Sequence, residues 1–304
     1  MPTHDISGIL CLNKPQGATS HDMVNKMRRL FGTKKVGHTG TLDPLATGVL
    51  VILIGRAVKA SEFLLSQKKE YIAEIKLGYV SDTLDISGST EKSFDGDLPD
   101  EMQIRKALTQ FVGSIKQVPP MYSAIKRDGK KLYELARQGV SVEREEREVT
   151  VYALEYLGKG EDEGCHSIRI ECSKGTYIRT LCDDIGKALG CGALMSKLCR
   201  TKNADFCIES SYTPEQLENM TENERAETLN SIESGFFHLQ SITLPPFYEK
   251  LARCGNEIYL KKIGIQLEED TLVRLCSREG FFAVGRVLSY PDGLAVKPVK
   301  QFDI

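Results

Sequence analysis

The sequence predicts an α+β protein in two parts: a large domain on a mainly antiparallel mixed sheet, and a small β-rich C-terminal module. Three observations predict this. Segments of strand and helix periodicity are interleaved without the β-α-β-α rhythm of a parallel fold. The length, 304 residues, exceeds one average domain. From about residue 241 the texture changes to short apolar stretches between polar turns: "GNEIYL", "TLVRLC", "FFAVGRVLS" and "LAVKPVKQF". The boundary is therefore expected at 240/241, giving domains 1–240 and 241–304.

In chain order, "GILCLN" reads as a short buried strand. "SHDMVNKMRRLFG" reads as a helix with Ser20 as N-cap, Met23, Met27 and Leu30 at helical spacing, and Gly32 at its end. A glycine-rich turn follows, "GHTGTLDPLATG", residues 37–48. "GVLVILIG" is apolar throughout, as in a strand covered on both faces, and "AVKASEFLLSQ" is helical. "EYIAEIKLGY" alternates with period two, a half-exposed strand. "DEMQIRKALTQFVG" and "KLYELARQG" are helices ending at glycine, "REVTVYALEYLG" and "CHSIRIECS" are strands, and "TYIRTLCDDIGKALG" is a helix. The stretch 211–234, with six glutamates against one arginine, reads as an acidic helical excursion on the surface.

An apolar share of 41% and a charged share of 27% describe an ordinary soluble protein. No apolar run is long enough to span a bilayer, and no basic segment precedes an apolar one as in a signal peptide. The nine cysteines are scattered without a C-x-x-C pair, which points to reduced thiols, a cytoplasmic location and no zinc site. The net charge of −2 speaks against a polyanion partner, but it averages over patches. Residues 1–80 hold 11 Lys/Arg against 6 Asp/Glu, and residues 174–202 hold six against two. Charge alone favours solvated faces of both signs.

The glycine-rich turn admits three readings. Asp43 before Pro44 is ordinary turn chemistry, and on residue types alone a structural turn is favoured. A phosphate-binding loop fits poorly. No Lys-Ser/Thr follows at P-loop spacing, and "TLDP" starts no helix after "GHTG" as the clamp of a KH domain requires. Thirdly, Asp43 is a nucleophile, in chemistry that needs neither a partner acid nor an activated water.

Six segments in order bear on that choice. "LNKPQGATS", "GHTGTLDPLATGVL", "KKEYIAEIKLG", "SDTLDISG", "QVPPMYSAIKRDGKKLYELARQG" and "KGTYIRTLCDDIGKALG" resemble the motifs of the TruB family, pseudouridine synthases acting on the T-loop of tRNA. They cover most of residues 8–202, and the tail resembles the PUA-type RNA-binding domain at the end of bacterial members. The resemblance implies a pseudouridine synthase fold and isomerisation of the T-loop uridine (position 55) after flipping it out of the stack. It implies tRNA, through its T-arm, as partner and no cofactor; a monomer without a metal site is expected. A noncatalytic RNA-binding or tRNA-folding module on the same fold is the alternative.

The resemblance also implies roles. Asp43 would be the nucleophile, bonding transiently to C6 of the base or C1′ of the sugar, or taking a proton from C2′. Tyr71 would stack on the target base and assist loss of the C5 proton, and Arg179 would hold Asp43 ionised through a two-pronged guanidinium fork. Tyr177 would line the pocket, Leu198 would pack on the other face of the uracil, and His38 would touch RNA where the flipped bases leave the loop. Lys14, counted with the substrate-binding residues, also belongs with Pro15 and Gly17 to a motif supporting the turn. Tyr122, Ser123 and Lys126 would do likewise or face phosphates. The chain departs from the family at Ala193 (often His), Cys199 (often Arg) and Ala204 (usually Gly), which bears on Leu198 and the RNA contacts of that strand.

Overall fold

The computed structural model describes residues 6–302 except residues 66, 124, 128, 137 and 141; the side chains of 126, 127, 130 and 131 also fall outside the description. Among the described residues one large sheet runs in the order Gly8–Lys14, Thr47–Ile54, Ala193–Asn203, Lys69–Leu77, Cys165–Cys172, Arg147–Lys159, Gly113–Gln117. The short strands Val36–His38 and Phe206–Cys207 pair at its side. One pairing is parallel, where Cys199 and Arg200 meet Thr47 and Gly48; the others are antiparallel.

The uninterrupted apolar run of Thr47–Ile54 is explained by coverage of both its faces. Leu50, Ile52 and Ile54 enter one core with Met23, Met27, Ile178 and Leu181, so the helices Ser20–Leu30 and Ile178–Leu189 cover that face. Val49, Val51 and Leu53 enter a second core with Phe236, Phe281 and Phe302. Gly8–Lys14 divides in the same way, Leu10 and Leu12 from Ile9 and Cys11. The N-cap of the first helix is Thr19, in a capping box with Asp22, and not Ser20. Ser20 is used elsewhere, as shown below.

A second sheet begins at Gln240–Thr243 and continues through Leu272–Ser277, Gly280–Tyr290, Gly293–Gln301 and Ile258–Tyr259. It also carries a helix, Pro246–Arg253, where only strands are expected from the sequence. The prolines of "LPPFYEKLAR" start that helix, and it turns Leu251 and Ala252 toward the module's own core. Among the described residues no helix is long and apolar enough to cross a membrane.

This module is not a free appendage. Phe281, Val284 and Phe302 bury Phe236 and the outer face of the Thr47–Ile54 strand, and Lys300 pairs with Glu62 at 2.7 Å. Each large apolar side chain uncovered costs about 1.5–3 kcal/mol. Truncation before Ser241 is therefore expected to lower the Tm of the remainder by about 5 °C or more, beyond any loss of RNA affinity. An unchanged Tm, followed by circular dichroism, would show that the contact carries no stability.

Ala204 occupies the first position of the two-residue turn joining Ala193–Asn203 to Phe206–Cys207, with φ at 54°. An L side chain there is strained by about 1–2 kcal/mol, which is why glycine suits the position. Ala204→Gly is expected to stabilise by about 0.5–1 kcal/mol net of the greater freedom of the unfolded chain. The urea midpoint should rise. With no tryptophan in the chain, far-UV circular dichroism is the suitable probe.

Candidate active site

The turn leaves the sheet at His38 and rejoins it at Thr47, because Val36–His38 pairs with Thr47–Ile54. In between, the chain is tied down almost peptide by peptide. Asn203 Nδ2 donates to the Thr39 carbonyl at 3.0 Å, and Arg200 Nη2 to the Gly40 carbonyl at 3.1 Å. The Ser20 hydroxyl accepts from the Leu42 amide at 2.8 Å and donates to the Leu42 carbonyl at 3.1 Å. The Gly17 amide donates to the Pro44 carbonyl at 2.8 Å, and Ala46 to the Asp43 carbonyl at 3.1 Å. Gly48, at φ +95°, allows the close crossing with the next strand, where a Cβ would lie 2.3 Å from the Arg200 carbonyl oxygen. A connecting turn needs none of these ties; this one holds Asp43 in place.

The Asp43 side chain retains 39% of its surface and faces Arg179, whose Nε lies 3.0 Å from Asp43 Oδ2. This is not the two-pronged fork expected from the sequence. The two terminal nitrogens are committed elsewhere, Nη1 to the Thr83 carbonyl at 3.0 Å and Nη2 to the Tyr122 carbonyl at 2.7 Å. Nη1 also lies 3.6 Å from Asp85 Oδ2. Arg179 is thus a buried hub between two carboxylates and two backbone carbonyls. Burial pushes the Asp43 carboxyl up from its ordinary pKa; Arg179 and then Lys14 pull it back, and Asp85 opposes them.

Asp85, in "SDTLDISG", was not among the residues singled out by sequence. It is almost fully buried and accepts from Thr83 Oγ1 at 2.8 Å, from the Ser87 amide at 3.0 Å and from the Ser87 hydroxyl. The preceding Leu84 has φ at 63°, a strained conformation for a bulky residue. That strain is sustained because the Leu84 carbonyl and the Ile86 amide both pair with Met195. The signals in the sequence were an acid in a small-residue cluster and the resemblance of that segment to a family motif.

Tyr71 is buried on the inner face of Lys69–Leu77, in the same cluster as Leu198, Leu42 and Ala46. Burial raises its phenol pKa, Arg200 opposes that rise, and Asp43 is close enough to add to it. Tyr177 precedes the Ile178–Leu189 helix and is fixed by Gln117, which accepts from its amide at 3.0 Å. Burial raises its phenol pKa, and Ser123, Arg147 and Arg179 oppose that rise. The half-buried His38 ring has its pKa lowered by burial and then by Arg200, so it is held toward the neutral form. A recess of about 300 Å³ opens beside the turn, with Leu45, Thr47, Leu198 and Cys199 in its wall.

Lys14 requires a correction. It is fully buried, with Nζ donating to the carbonyls of Pro15 at 2.9 Å, Ala18 at 2.7 Å and Pro44 at 3.5 Å. Burial takes its pKa down to about 8. Such an ammonium braces the turn from below and does not reach RNA as a substrate-binding residue would. Tyr122 contributes its carbonyl to Arg179, and Ser123 is buried. The side chain of Lys126 lies outside the described residues.

Residues 28–178 match the family described as "TruB family pseudouridylate synthase (N terminal domain)", and 179–245 match "tRNA pseudouridylate synthase B C-terminal domain". This chain belongs to the TruB family of pseudouridylate synthases. Its relatives include the tRNA pseudouridine synthase B of Oceanobacillus iheyensis, 47% identical over 98% of both chains. That of Alkaliphilus oremlandii is 48% identical over 84% of this chain and 83% of its own. Among solved structures, one described as "Structure of H/ACA RNP bound to a substrate RNA containing 2'-deoxyuridine" superposes with a TM-score of 0.75. The identity is 25%, over 99% of this chain and 86% of that one. A "Cbf5-Nop10-Gar1 Complex" follows with a TM-score of 0.73 and 26% identity, covering 99% and 87%. The α+β catalytic fold with a β-rich C-terminal domain is the fold of this family, and the TruB chemistry is an isomerisation.

Proposed function

We propose that this chain converts the T-loop uridine of tRNA, position 55, to pseudouridine, with Asp43 as the catalytic carboxylate. The observation that carries the reading is the Asp43–Arg179–Asp85 arrangement in a turn whose every tie serves to hold one acid. The relatives named tRNA pseudouridine synthase B support the choice of RNA.

The reaction breaks the N1–C1′ bond, turns the uracil and joins C5 to C1′, leaving composition unchanged. Asp43 supplies the anion that each route to cleavage requires, by attack on C1′ or C6 or by taking a proton at C2′. Tyr71 stacks against the base, which contributes about 1–3 kcal/mol. In its ionised form Tyr71 then takes the proton from C5, which moves to the phenol oxygen. The C–H electron pair forms the C5=C6 double bond, C6 releases in exchange its π bond to N1 (or, on the C6 route, its C6–O bond to Asp43), and N1 ends protonated. Leu198, from the same cluster, packs on the other face of the uracil. His38 contacts the loop from which the base is extruded, and Tyr177 closes the pocket. Residues 241–304 form a PUA-like domain that meets a remote part of the tRNA, residues 1–240 carry the chemistry, and the enzyme acts as a cytoplasmic monomer.

The test is pseudouridine formation on two tRNA transcripts, one with uridine and one with cytidine at position 55. Turnover on the first alone is expected. Equal turnover on both would displace the site to another uridine, and tight binding without turnover on either would favour the noncatalytic RNA-folding alternative.

A further inference from the structure

We propose that Arg200 is a positioning residue for the isomerisation, its buried guanidinium tying the catalytic turn to the Tyr71 phenol. The proposal rests on the reading of Tyr71 given above.

Arg200 is among the largest fully buried side chains of the molecule, at 1% exposure, and backbone carbonyls hold its charge in the positions where a carboxylate would be expected. Nε donates to the Val49 carbonyl at 2.6 Å and Nη2 to the Gly40 carbonyl at 3.1 Å, so the guanidinium grips both the outgoing and the incoming arm of the residue 37–48 turn. Arg200 and Tyr71 are direct cross-strand partners, so the guanidinium lies beside the Tyr71 ring, and its charge favours the ionised phenol. One rigid, planar group therefore sets the distance between the loop that carries Asp43 and the ring that stacks on the base.

Its surroundings add a reason for a cation here. Burial lowers the pKa of Lys14, Lys69 and His38, and the charge of Arg200 adds to each lowering. Burying an unpaired guanidinium for packing alone is unfavourable, and an apolar side chain would fill the space better. Of the groups facing the Tyr71 phenol, Asp43 from the turn disfavours the phenolate, while the Cys172 thiol of the neighbouring strand, raised to about 11 by burial, stays neutral. Arg200 opposes Asp43. A phenol that must accept the C5 proton gains from a fixed cation on the neighbouring strand position, because that cation stabilises the ionised form.

The test uses Arg200→Lys and Arg200→Gln in the full chain, with single-turnover pseudouridine formation on a tRNA transcript followed from about pH 6 to about pH 9.5. Arg200→Lys is expected to lose at least about tenfold in rate with tRNA affinity within about threefold. In Arg200→Gln the rising limb of the pH profile should move up by about one pH unit. The double variant Y71F/R200K should lose less than the product of the two single losses, because the influence of Arg200 on the Tyr71 hydroxyl is already gone in Y71F. Additive losses with an unmoved pH profile would mean that Arg200 is structural only, and would overturn the proposal, as would a wild-type rate in R200K. Should neither Arg200 variant fold, Y71F decides the matter. In ¹⁵N-arginine-labelled protein a protected guanidinium resonance should move in Y71F and remain in D43N, which perturbs Arg179 instead; no such resonance would overturn the proposal. Failure of the underlying reading looks different, since Y71F would then keep its full rate whatever Arg200 does.

Discussion

Asp43→Asn abolishes turnover, with an expected loss of at least about 10⁴-fold, while tRNA affinity stays within a few-fold. The shape of the side chain is nearly preserved. The ties that hold the turn run through Ser20, Gly17, Arg200 and Asn203 and not through the carboxylate, so the backbone should keep its course. What disappears is the anion, which neither an attack on carbon nor proton removal can do without. The loss corresponds to about 5 kcal/mol of transition-state stabilisation. Single-turnover rates and filter binding on the same transcript give both quantities. Residual turnover within tenfold of wild type would return Asp43 to the role of a turn residue.

Arg179→Lys is expected to cost about 10²- to 10³-fold in rate, and the loss should grow as the pH falls. The guanidinium makes contacts at Asp43, Asp85, Thr83 and Tyr122, and an ammonium on a single stem cannot serve all four. Arg179 is the largest influence holding the Asp43 pKa down against burial and the repulsion of Asp85. Weakening that contact raises the pKa, so the fraction of ionised Asp43 falls first at low pH and recovers as pH rises. The rate–pH profile of Arg179→Lys should therefore move to higher pH. A profile superimposable on that of the wild type, at any absolute rate, would show that the pairing does not control Asp43 ionisation.

Much of this architecture could be read from residue order because it rests on local rules. The period-two strand around Tyr71, the helix closed by Gly190 and the acidic excursion all follow from side-chain periodicity and capping. Asp43 stood out because three glycines and a proline surround it, and the family motifs pointed to Tyr71 and Arg179. The helix at Pro246–Arg253 was missed because its eight residues sit among strands, where a short amphipathic stretch resembles a turn.

What depended on distant residues could not be read in this way. By itself the sequence determined most of the segments that become strand or helix, and that a constrained turn surrounds Asp43, because φ preferences and apolar spacing act over a few neighbours. Only the tertiary structure decided that Arg179 is shared between Asp43 and Asp85 and that Lys14 is sealed beneath the turn. It likewise decided that the two halves of the chain meet on a common apolar face. Arg200 and Gly48, 152 positions apart, pair only because two strands run parallel there. Burial and charge partnership belong to such long-range pairings, and they set whether a given arginine or lysine faces RNA, braces a loop or orients a reacting group.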